Sequence, residues 1–289
     1  MSDFSKGFLI TFLGVVIISP DTLLIRLIDA DAMTQQFWRG SLSGMTVLLG
    51  YWILNGRAFP AHVRAMGIPG IWITLIFSAG TLCFMYSVTH TLVANTLFIT
   101  STSPAFAALI ALVFLKERVS FRTWMTILAT LVGISIIAAG SLSRGSGGLD
   151  GDLAALGAAM ALASVFSIAR AQRAASMVPA FGISGLLSGL VAALLAPDLV
   201  IPSEDYHWMA ILGLAVVPLG SALLATGPRY LPAPDVGLIL LLESIFGPLL
   251  VWLVLAEYPG GHTLIGGTIV LGAMAVSNYL AHLNNQRIR

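Results

Sequence analysis

The chain has 289 residues, of which 57% are apolar and only 9% are charged, whereas soluble domains carry about 25% charged residues. Its formal net charge is +1, so there is no basic face to neutralise phosphates, and we expect no nucleic-acid partner. The single cysteine excludes an internal disulfide, and the five histidines show no metal-ligand spacing. The composition predicts an all-α polytopic membrane protein without metal or cofactor.

Ten apolar segments are long enough to cross a bilayer, which takes about 20 residues for about 30 Å of hydrocarbon. They cover residues 8–28, 35–54, 68–89, 93–115, 122–140, 153–170, 178–196, 207–227, 234–256 and 262–282. Segments three and four, and segments eight and nine, are predicted to form tight hairpins. The first segment is too long for the apolar core of a signal peptide, so we interpret it as a membrane span.

Basic residues collect on one side of these segments. If the N-terminus is cytoplasmic, eleven of the 14 Lys and Arg residues fall on the cytoplasmic side, and the exceptions are Arg26, Arg39 and Arg144. The opposite side is rich in acids: Asp29, Asp31, Asp150, Asp152, Asp198, Glu204 and Asp205. The positive-inside rule therefore predicts a multi-pass protein of the inner (plasma) membrane with both termini in the cytoplasm.

The second half of the chain repeats the first. At an offset of 140, Ser103-Pro104 aligns with Glu243-Ser244, and Glu117 aligns with Glu257. Further matches join Gly7–Arg26 with Gly151–Arg170, Gly40-x-x-x-Gly44 with Gly185-x-x-x-Gly189, Trp72 with Trp208, and Gly133 with Gly272. Because each half has five segments, an odd number, the second half must enter the membrane from the opposite side. We predict two inverted five-helix repeats, residues 1–144 and 145–289.

An inverted repeat provides two half-structures that can exchange conformations and so open a central site to each side of the membrane in turn. The alternative is a duplication kept only for packing. Ten spans, the lack of room for a soluble domain, and polar residues at mid-depth favour transport by alternating access. The hairpins of segments three and four, and of eight and nine, are the expected moving parts.

The chain resembles the drug/metabolite transporter superfamily, and in particular its ten-helix EamA-type permeases. The resemblance covers the whole chain and rests on the two five-helix halves, on fourth helices marked by proline or acid that end in Glu, and on Phe37-Trp38-Arg39. Such families usually have Leu-Glu-Pro in the ninth helix. Here Ser244 follows Glu243 and Pro248 comes one turn later, which leaves a displaced kink as an open alternative. The resemblance implies a carrier of amino acids, drugs, nucleotide sugars or other metabolites.

Three charged residues lie inside the predicted spans, where each costs about 2.5–3.5 kcal/mol on insertion scales. Glu243 lies about 15 Å into its helix, Asp21 follows Pro20, and Arg39 lies in the second segment. Glu243 or Asp21 could bind a proton or a substrate ammonium group. Alternatively, Asp21 and Arg39 form a structural ion pair, and Glu243 is protonated or bonds a freed backbone group. We predict a functional Glu243 and a structural role for the other two.

A stripe of small polar side chains follows one face of the predicted fourth helix: Thr96, Thr100 and Ser103. The repeat places Glu243 on the matching face of the ninth helix, so the two faces are predicted to line a cavity for a zwitterionic or amphipathic solute. Tyr86 and Ser167 are further candidates. The alternative is that these hydroxyls bond carbonyls of their own helices.

The paired Gly-x-x-x-Gly motifs allow close helix approach, within the bundle or between protomers of a homodimer. Ser184 in Gly182-Ile183-Ser184-Gly185 matches the motif of rhomboid-type intramembrane proteases, with His282 as the candidate base. The repeated small-residue motif explains this serine without catalysis, so we expect no enzyme. We predict an exporter of small metabolites, most of all amino acids, with a multidrug or nucleotide-sugar-type carrier as the alternative and a protease as a remote one.

Overall fold

The computed structural model describes residues 3–114, 121–143, 148–171, 176–226, 230–231 and 233–288. Every regular element in this part of the chain is helical. Nine helices among the described residues are long and apolar enough to cross a membrane. Glu117, which closes the repeated motif of the fourth segment, lies outside the described residues.

The ten spans are named α1 to α10. Their bounds are α1 Asp3–Ile18 with Asp21–Leu27, α2 Ala32–Asn55, α3 Gly67–His90, α4 Val93–Thr100 with Ser103–Phe114, α5 Phe121–Ser143, α6 Gly148–Ala171, α7 Val178–Leu195, α8 Tyr206–Ala210 continuing through Ile211–Val216 and Val217–Thr226, α9 Ala233–Leu240 with Glu243–Leu255, and α10 Gly261–Ile288. A short helix, Phe59–Ala65, connects α2 to α3. The middle turns of α8 are wound as a π-helix just before Pro218, which has no backbone N–H to donate.

Helix α2 is the one named span that is absent from the nine apolar helices of the described residues. At about 1.5 Å per residue, its 24 residues are long enough to cross the hydrocarbon core. Its polar side chains Gln35, Gln36 and Arg39 are buried inside the protein, where they do not meet lipid. This span therefore completes the ten-helix fold that the sequence predicted.

The two halves of the chain interleave. Helix α2 packs along α7, and α5 packs along α10, so each pair joins a helix to its repeat equivalent. Helix α3 packs on α6, and the equivalent pair of α8 and α1 packs in the same way. The fold is thus a bundle of two inverted five-helix repeats that share one interface.

Glycines allow the closest of these approaches. A Cβ atom at Gly44 of α2 would lie 2.7 Å from the carbonyl oxygen of Gly182 in α7, and one at Gly185 would lie 2.9 Å from the carbonyl oxygen of Gly40. Both distances are too short for a real side chain, so the backbones meet only because these positions are glycine. The paired Gly-x-x-x-Gly motifs therefore act within the bundle.

Within the part of the chain that the structure describes, three spans are interrupted. The breaks fall at Ser19-Pro20 in α1, at Ser101-Thr102 in α4 and at Leu241-Leu242 in α9. Those of α4 and α9 are separated by the repeat offset of 140, and their hydrogen bonds match: the N–H of Thr102 donates to the carbonyl of Ile99 (3.1 Å), and that of Leu242 donates to the carbonyl of Ile239 (3.0 Å). The repeat therefore extends to the irregular backbone.

The break in α9 keeps its repeat position although the family's proline is absent there. Pro248 lies inside the continuous second half of this helix, Glu243–Leu255, so the kink has not moved to Pro248. Pro20 has no N–H, so the Val16 carbonyl lacks its usual helical donor at the break in α1.

The end of the bundle at which the second halves of α1 and α9 finish is called the Arg26 end. Helices α3 and α4 are joined here by only Thr91 and Leu92, which confirms the predicted tight hairpin. The connection between α8 and α9 falls largely outside the described residues. An apolar cluster packs around the second half of α1, with members Leu24, Ile25, Met85, Val88, Leu97 and Val251.

Candidate functional site

The second halves of the interrupted helices begin with polar residues at mid-span. The first residues are Asp21 in α1, Ser103 in α4 and Glu243 in α9. The second half of α9 packs on the second half of α1 and on the first half of α4. Interrupted helices of this kind expose backbone groups and helix termini to a central site in many transporters. We therefore take the junction of α1, α4 and α9 as the candidate site.

Asp21 and Arg39 form a two-pronged ion pair at this junction. The Nε and Nη2 atoms of Arg39 donate to the two carboxylate oxygens of Asp21 at 3.1 and 2.8 Å. Both residues are buried, and the guanidinium carbon lies 5.9 Å from the ring centroid of Phe84. A planar guanidinium matches a carboxylate in this geometry, so each charge compensates the other.

Glu243 has no such compensation. Its carboxyl group is enclosed by protein and interacts electrostatically with Asp21, yet its side chain keeps some accessible surface. Its side chain forms no hydrogen bond or ion pair with any of the residues that the structure describes. Taken with Asp21 and Arg39, it leaves the junction with two acidic side chains and one basic side chain.

Two hydroxyl groups lie at the contacts that the second half of α9 makes with α4 and α1. The Ser244 hydroxyl donates to the Leu97 carbonyl across the α9–α4 contact at 3.3 Å. The Thr22 hydroxyl is buried and finds no hydrogen-bond partner in the described structure. A Cβ atom at Gly247 would lie 3.5 Å from that hydroxyl oxygen. A carboxyl group without a hydrogen-bond or ion-pair partner, such as that of Glu243, can bind a proton or a cationic group.

A second polar cluster lies at the Arg26 end and is fully buried. The Asp152 carboxylate accepts hydrogen bonds from the hydroxyls of Thr91 (2.7 Å) and Ser141 (2.5 Å) and from the amide of Asn95 (3.0 Å). The Thr263 hydroxyl in turn donates to the Asn95 amide oxygen at 2.7 Å. The cluster ties α5, α6 and α10 to the α3–α4 turn, and it was not foreseen from the sequence. An asparagine inside an apolar segment was the available signal.

An ion pair between Arg26 and Glu257 lies on the other side of the same turn. The Nη2 atom of Arg26 lies 3.1 Å from Glu257 Oε2 and donates to the Thr91 carbonyl at 2.7 Å. Glu257 Oε1 accepts from the backbone N–H of Val93 at 2.8 Å. The charges of α1 and of the α9–α10 connection therefore bind the backbone of Thr91 and Val93, which flank Leu92 in the α3–α4 turn.

The sequence profile of the EamA-like transporter family matches this chain twice, over residues 5–139 and 149–279. The chain belongs to the EamA-like transporter family. It is a membrane transporter that handles small solutes. Ser184, the residue of the remote protease alternative, is buried in the α7 seam, and its hydroxyl donates to the Phe181 carbonyl at 2.7 Å.

This EamA-like transporter is similar to the pseudopaline exporter CntI of Pseudomonas aeruginosa, in the strains UCBPP-PA14 and PAO1. The identity is 25% over 235 residues, which cover 80% of this chain and 81% of the relative. A solved crystal structure aligns with 96% of this chain and 98% of its own, with a TM-score of 0.62 and 17% identity. That likeness supports the fold alone.

The hydroxyl stripe predicted on α4 is divided by the structure. Thr96 is buried and bonds the Ser87 hydroxyl of α3 at 2.7 Å. The Thr100 hydroxyl donates to the Thr96 carbonyl of its own helix at 2.8 Å. Ser103 is buried at the start of the second half of α4. Thr100 and Ser103 flank the break in α4, and Thr96 lies one turn before it.

The two further candidates lie apart from the junction. The Tyr86 hydroxyl donates to the exposed Asp150 carboxylate at 2.9 Å, and its ring stacks on His90 with centroids 3.8 Å apart. The Ser167 hydroxyl donates to the Ala163 carbonyl of its own helix at 2.8 Å. A direct role for either in solute binding stays a prediction, and Glu243 is the candidate that the geometry favours most.

Proposed function

We propose that this protein exports small metabolites across the inner (plasma) membrane by alternating access, with amino acids as the first class of cargo. Glu243 carries the proposal, because its side chain lies at a helix break, keeps some accessible surface and has no hydrogen-bond or ion-pair partner among the described residues. The similarity to a named metabolite exporter supports the direction of transport.

The charges at the junction favour a cargo with a cationic group. An ammonium group is the natural partner of the Glu243 carboxylate, and Arg39 supplies a positive charge for a carboxylate at the same level. A zwitterion would satisfy both, and Ser103, at the start of the second half of α4, is the hydroxyl of the predicted stripe that we propose beside it. A nucleotide sugar is anionic and would meet the two acids of the junction, Asp21 and Glu243, which disfavours that alternative. A cationic drug would suit Glu243 and remains the second candidate.

The test is a flux screen in proteoliposomes. Labelled amino acids, nucleosides and organic cations are offered with and without a pH gradient, and initial rates are measured for the wild type, Glu243→Gln and Glu204→Gln. Glu204 is an exposed acid at a chain connection, so it controls for the loss of one negative charge. We expect amino-acid flux that falls at least about tenfold in Glu243→Gln, which corresponds to about 1.4 kcal/mol, and is unchanged in Glu204→Gln.

Each outcome has a separate meaning. If the wild type transports organic cations and does not transport amino acids, the proposed cargo class is wrong and the proposed mechanism stands. Full flux and an unchanged pH response in Glu243→Gln would remove Glu243 from both binding and coupling.

The orientation and the division at residues 144 and 145 belong to the proposal as well. The distribution of Lys and Arg supports cytoplasmic termini, and in that orientation the Arg26 end faces the outside. Cysteines introduced at positions 26 and 170 should then react with impermeant reagents from opposite sides of the membrane. Labelling of both from one side would remove the inverted arrangement and the transport mechanism with it.

A homodimer also remains a proposal. Because the Gly-x-x-x-Gly motifs of α2 and α7 are used inside the bundle, they do not support one. The mass of the protein in native detergent extracts would distinguish a monomer from a homodimer.

A further inference from the structure

We propose that the ion pair between Arg26 and Glu257 breaks and re-forms as the Arg26 end of the bundle opens and closes. The hydrogen bonds of the Asp152 cluster, which we call the anchor, stay intact during this movement. The two networks share the α3–α4 turn, since Thr91 accepts from Arg26 through its carbonyl and donates to Asp152 through its hydroxyl. We call Arg26, Glu257 and their bonds to Thr91 and Val93 the clasp. The inference goes beyond the proposed function and takes from it only that this end of the bundle opens.

The anchor side of the turn is built to stay closed. Thr91, Asn95, Ser141, Asp152 and Thr263 are all buried, with exposed fractions of 0% to 6%. A Cβ atom at Gly151 would lie 2.8 Å from the Thr91 nitrogen, so the start of α6 touches the turn backbone directly. Separating these groups would strip donors from a buried carboxylate, which is costly.

The clasp side is built differently. The side chains of Arg26 and Glu257 are 24% and 19% exposed, so water can replace their mutual contacts when they separate. The Nε atom of Arg26 is buried without a hydrogen-bond partner in the described structure. The contacts on this side of the turn are therefore easier to separate than those of the anchor.

The clasp is connected to the candidate site by two short rigid helices. The second half of α1 begins at Asp21 and reaches Arg26 after little more than one turn. The second half of α9 begins at Glu243 and leads through Ala256 to Glu257. The acids at the start of these helices repel each other, while the charges at their far ends attract. A cationic group between Asp21 and Glu243 would therefore act on the same two helices that the clasp holds.

The connection after α9 can act as the hinge. Ala256 has a φ of 53° and Gly260 a φ of 78°, both in the left-handed region. An alanine rarely adopts this conformation, so the backbone beside Glu257 is held against its preference. Thr263, a few residues later, is bound to Asn95 in the anchor. Movement of α9 relative to α10 is thus confined to Ala256–Gly260.

Thr22 is the reporter for opening. It lies one helical turn before Arg26 on the same face of α1, it is buried, and its hydroxyl has no partner in the described structure. Water that passes an open clasp reaches this position first. In a background with Cys83→Ser, Thr22→Cys should react slowly with a membrane-impermeant maleimide while the clasp is intact.

The experiment measures this reaction in right-side-out and inside-out vesicles. Arg26→Ala and Glu257→Gln should each raise the rate at least about fivefold from one side only, and the double variant should be no faster than the faster single variant, because both remove one shared contact. Glu204→Gln, at the same end and outside the clasp, should leave the rate unchanged.

Unchanged labelling in both single variants would overturn the proposal, as would rates that multiply in the double variant. If Arg26→Ala does not yield folded protein, Glu257→Gln decides the question. The amide oxygen of the glutamine can still accept from the Val93 N–H, so we expect this variant to fold. No flux assay is involved, so the result stands apart from the cargo assignment. A rise in labelling from the side opposite to the proposed one would reverse the orientation and leave the clasp in place.

Discussion

Replacing Arg39 by methionine tests whether the centre of the bundle is organised by charge. The change removes the guanidinium that donates to Asp21 at 3.1 and 2.8 Å and leaves the Asp21 carboxylate buried beside Glu243. The side chains of the pair are only 10% and 8% exposed, so water cannot compensate the remaining charge. Removing one member of a buried pair costs about 3–5 kcal/mol.

Two companion variants separate the charge effect from the loss of packing. In Asp21→Asn/Arg39→Met both charges are gone, and replacement of a buried pair by neutral groups is often close to neutral. In Arg39→Met/Glu243→Gln one of the two adjacent acids is neutral, so part of the stability should return. We therefore expect Arg39→Met to be the least stable of the three.

The assay is the apparent melting temperature of purified protein in detergent, followed by the loss of monodisperse elution after heating. At about 2 °C per kcal/mol, Arg39→Met should melt at least about 6 °C below the wild type, and the Asp21→Asn/Arg39→Met variant should recover more than half of that loss. Equal melting temperatures for Arg39→Met and Asp21→Asn/Arg39→Met would show that the packing of the Arg39 side chain matters and its charge does not.

The remaining predictions concern the seam and the anchor. Gly44→Ala would place a Cβ atom 2.7 Å from the Gly182 carbonyl oxygen and should lower the free energy of unfolding by about 1–3 kcal/mol. Gly50→Ala on the same helix, with nothing within 4 Å of its Cβ atom, should melt like the wild type. Equal losses in the two variants would contradict the close packing of α2 on α7. Asp152→Asn turns an amide N–H₂ toward groups that donate to the carboxylate. It should lower the free energy of unfolding by about 1–3 kcal/mol for each donor left unpaired. Asp150→Asn, two residues earlier and exposed, should change the melting temperature little in the same assay. A tolerant Asp152→Asn would show that the cluster does not anchor the turn.

Much of the architecture was predictable because it follows from local pattern. The lengths of the apolar segments predicted the spans, and the match of Ser103-Pro104 to Glu243-Ser244 predicted equivalent positions in α4 and α9, where the structure then shows both helices interrupted. The α9 break is the instructive case, since it occurs without the expected proline. The backbone at Leu241-Leu242 therefore follows the repeat position, while the local residue type has little effect.

The contacts of the site were less predictable, because they join residues far apart in the chain. Arg26 and Glu257 were recognised only as charges near helix ends, and nothing in either neighbourhood specifies the other as partner. The hydroxyls of Thr100 and Ser167 had the spacing of a lining face, but in the structure each bonds its own helix. Helical spacing shows which side chains share a face, and it does not show what that face meets.

Helix α1 is interrupted at Ser19-Pro20, whereas α6, its counterpart in the other half, runs unbroken from Gly148 to Ala171. If the halves were identical, the two end states of the carrier would have equal energy, and the empty protein would spend half its time in each. The bend in only one of these helices removes that degeneracy. Under the proposed alternating-access mechanism, the unloaded carrier should therefore favour one end state, and its apparent affinity for the solute should differ between the two sides of the membrane.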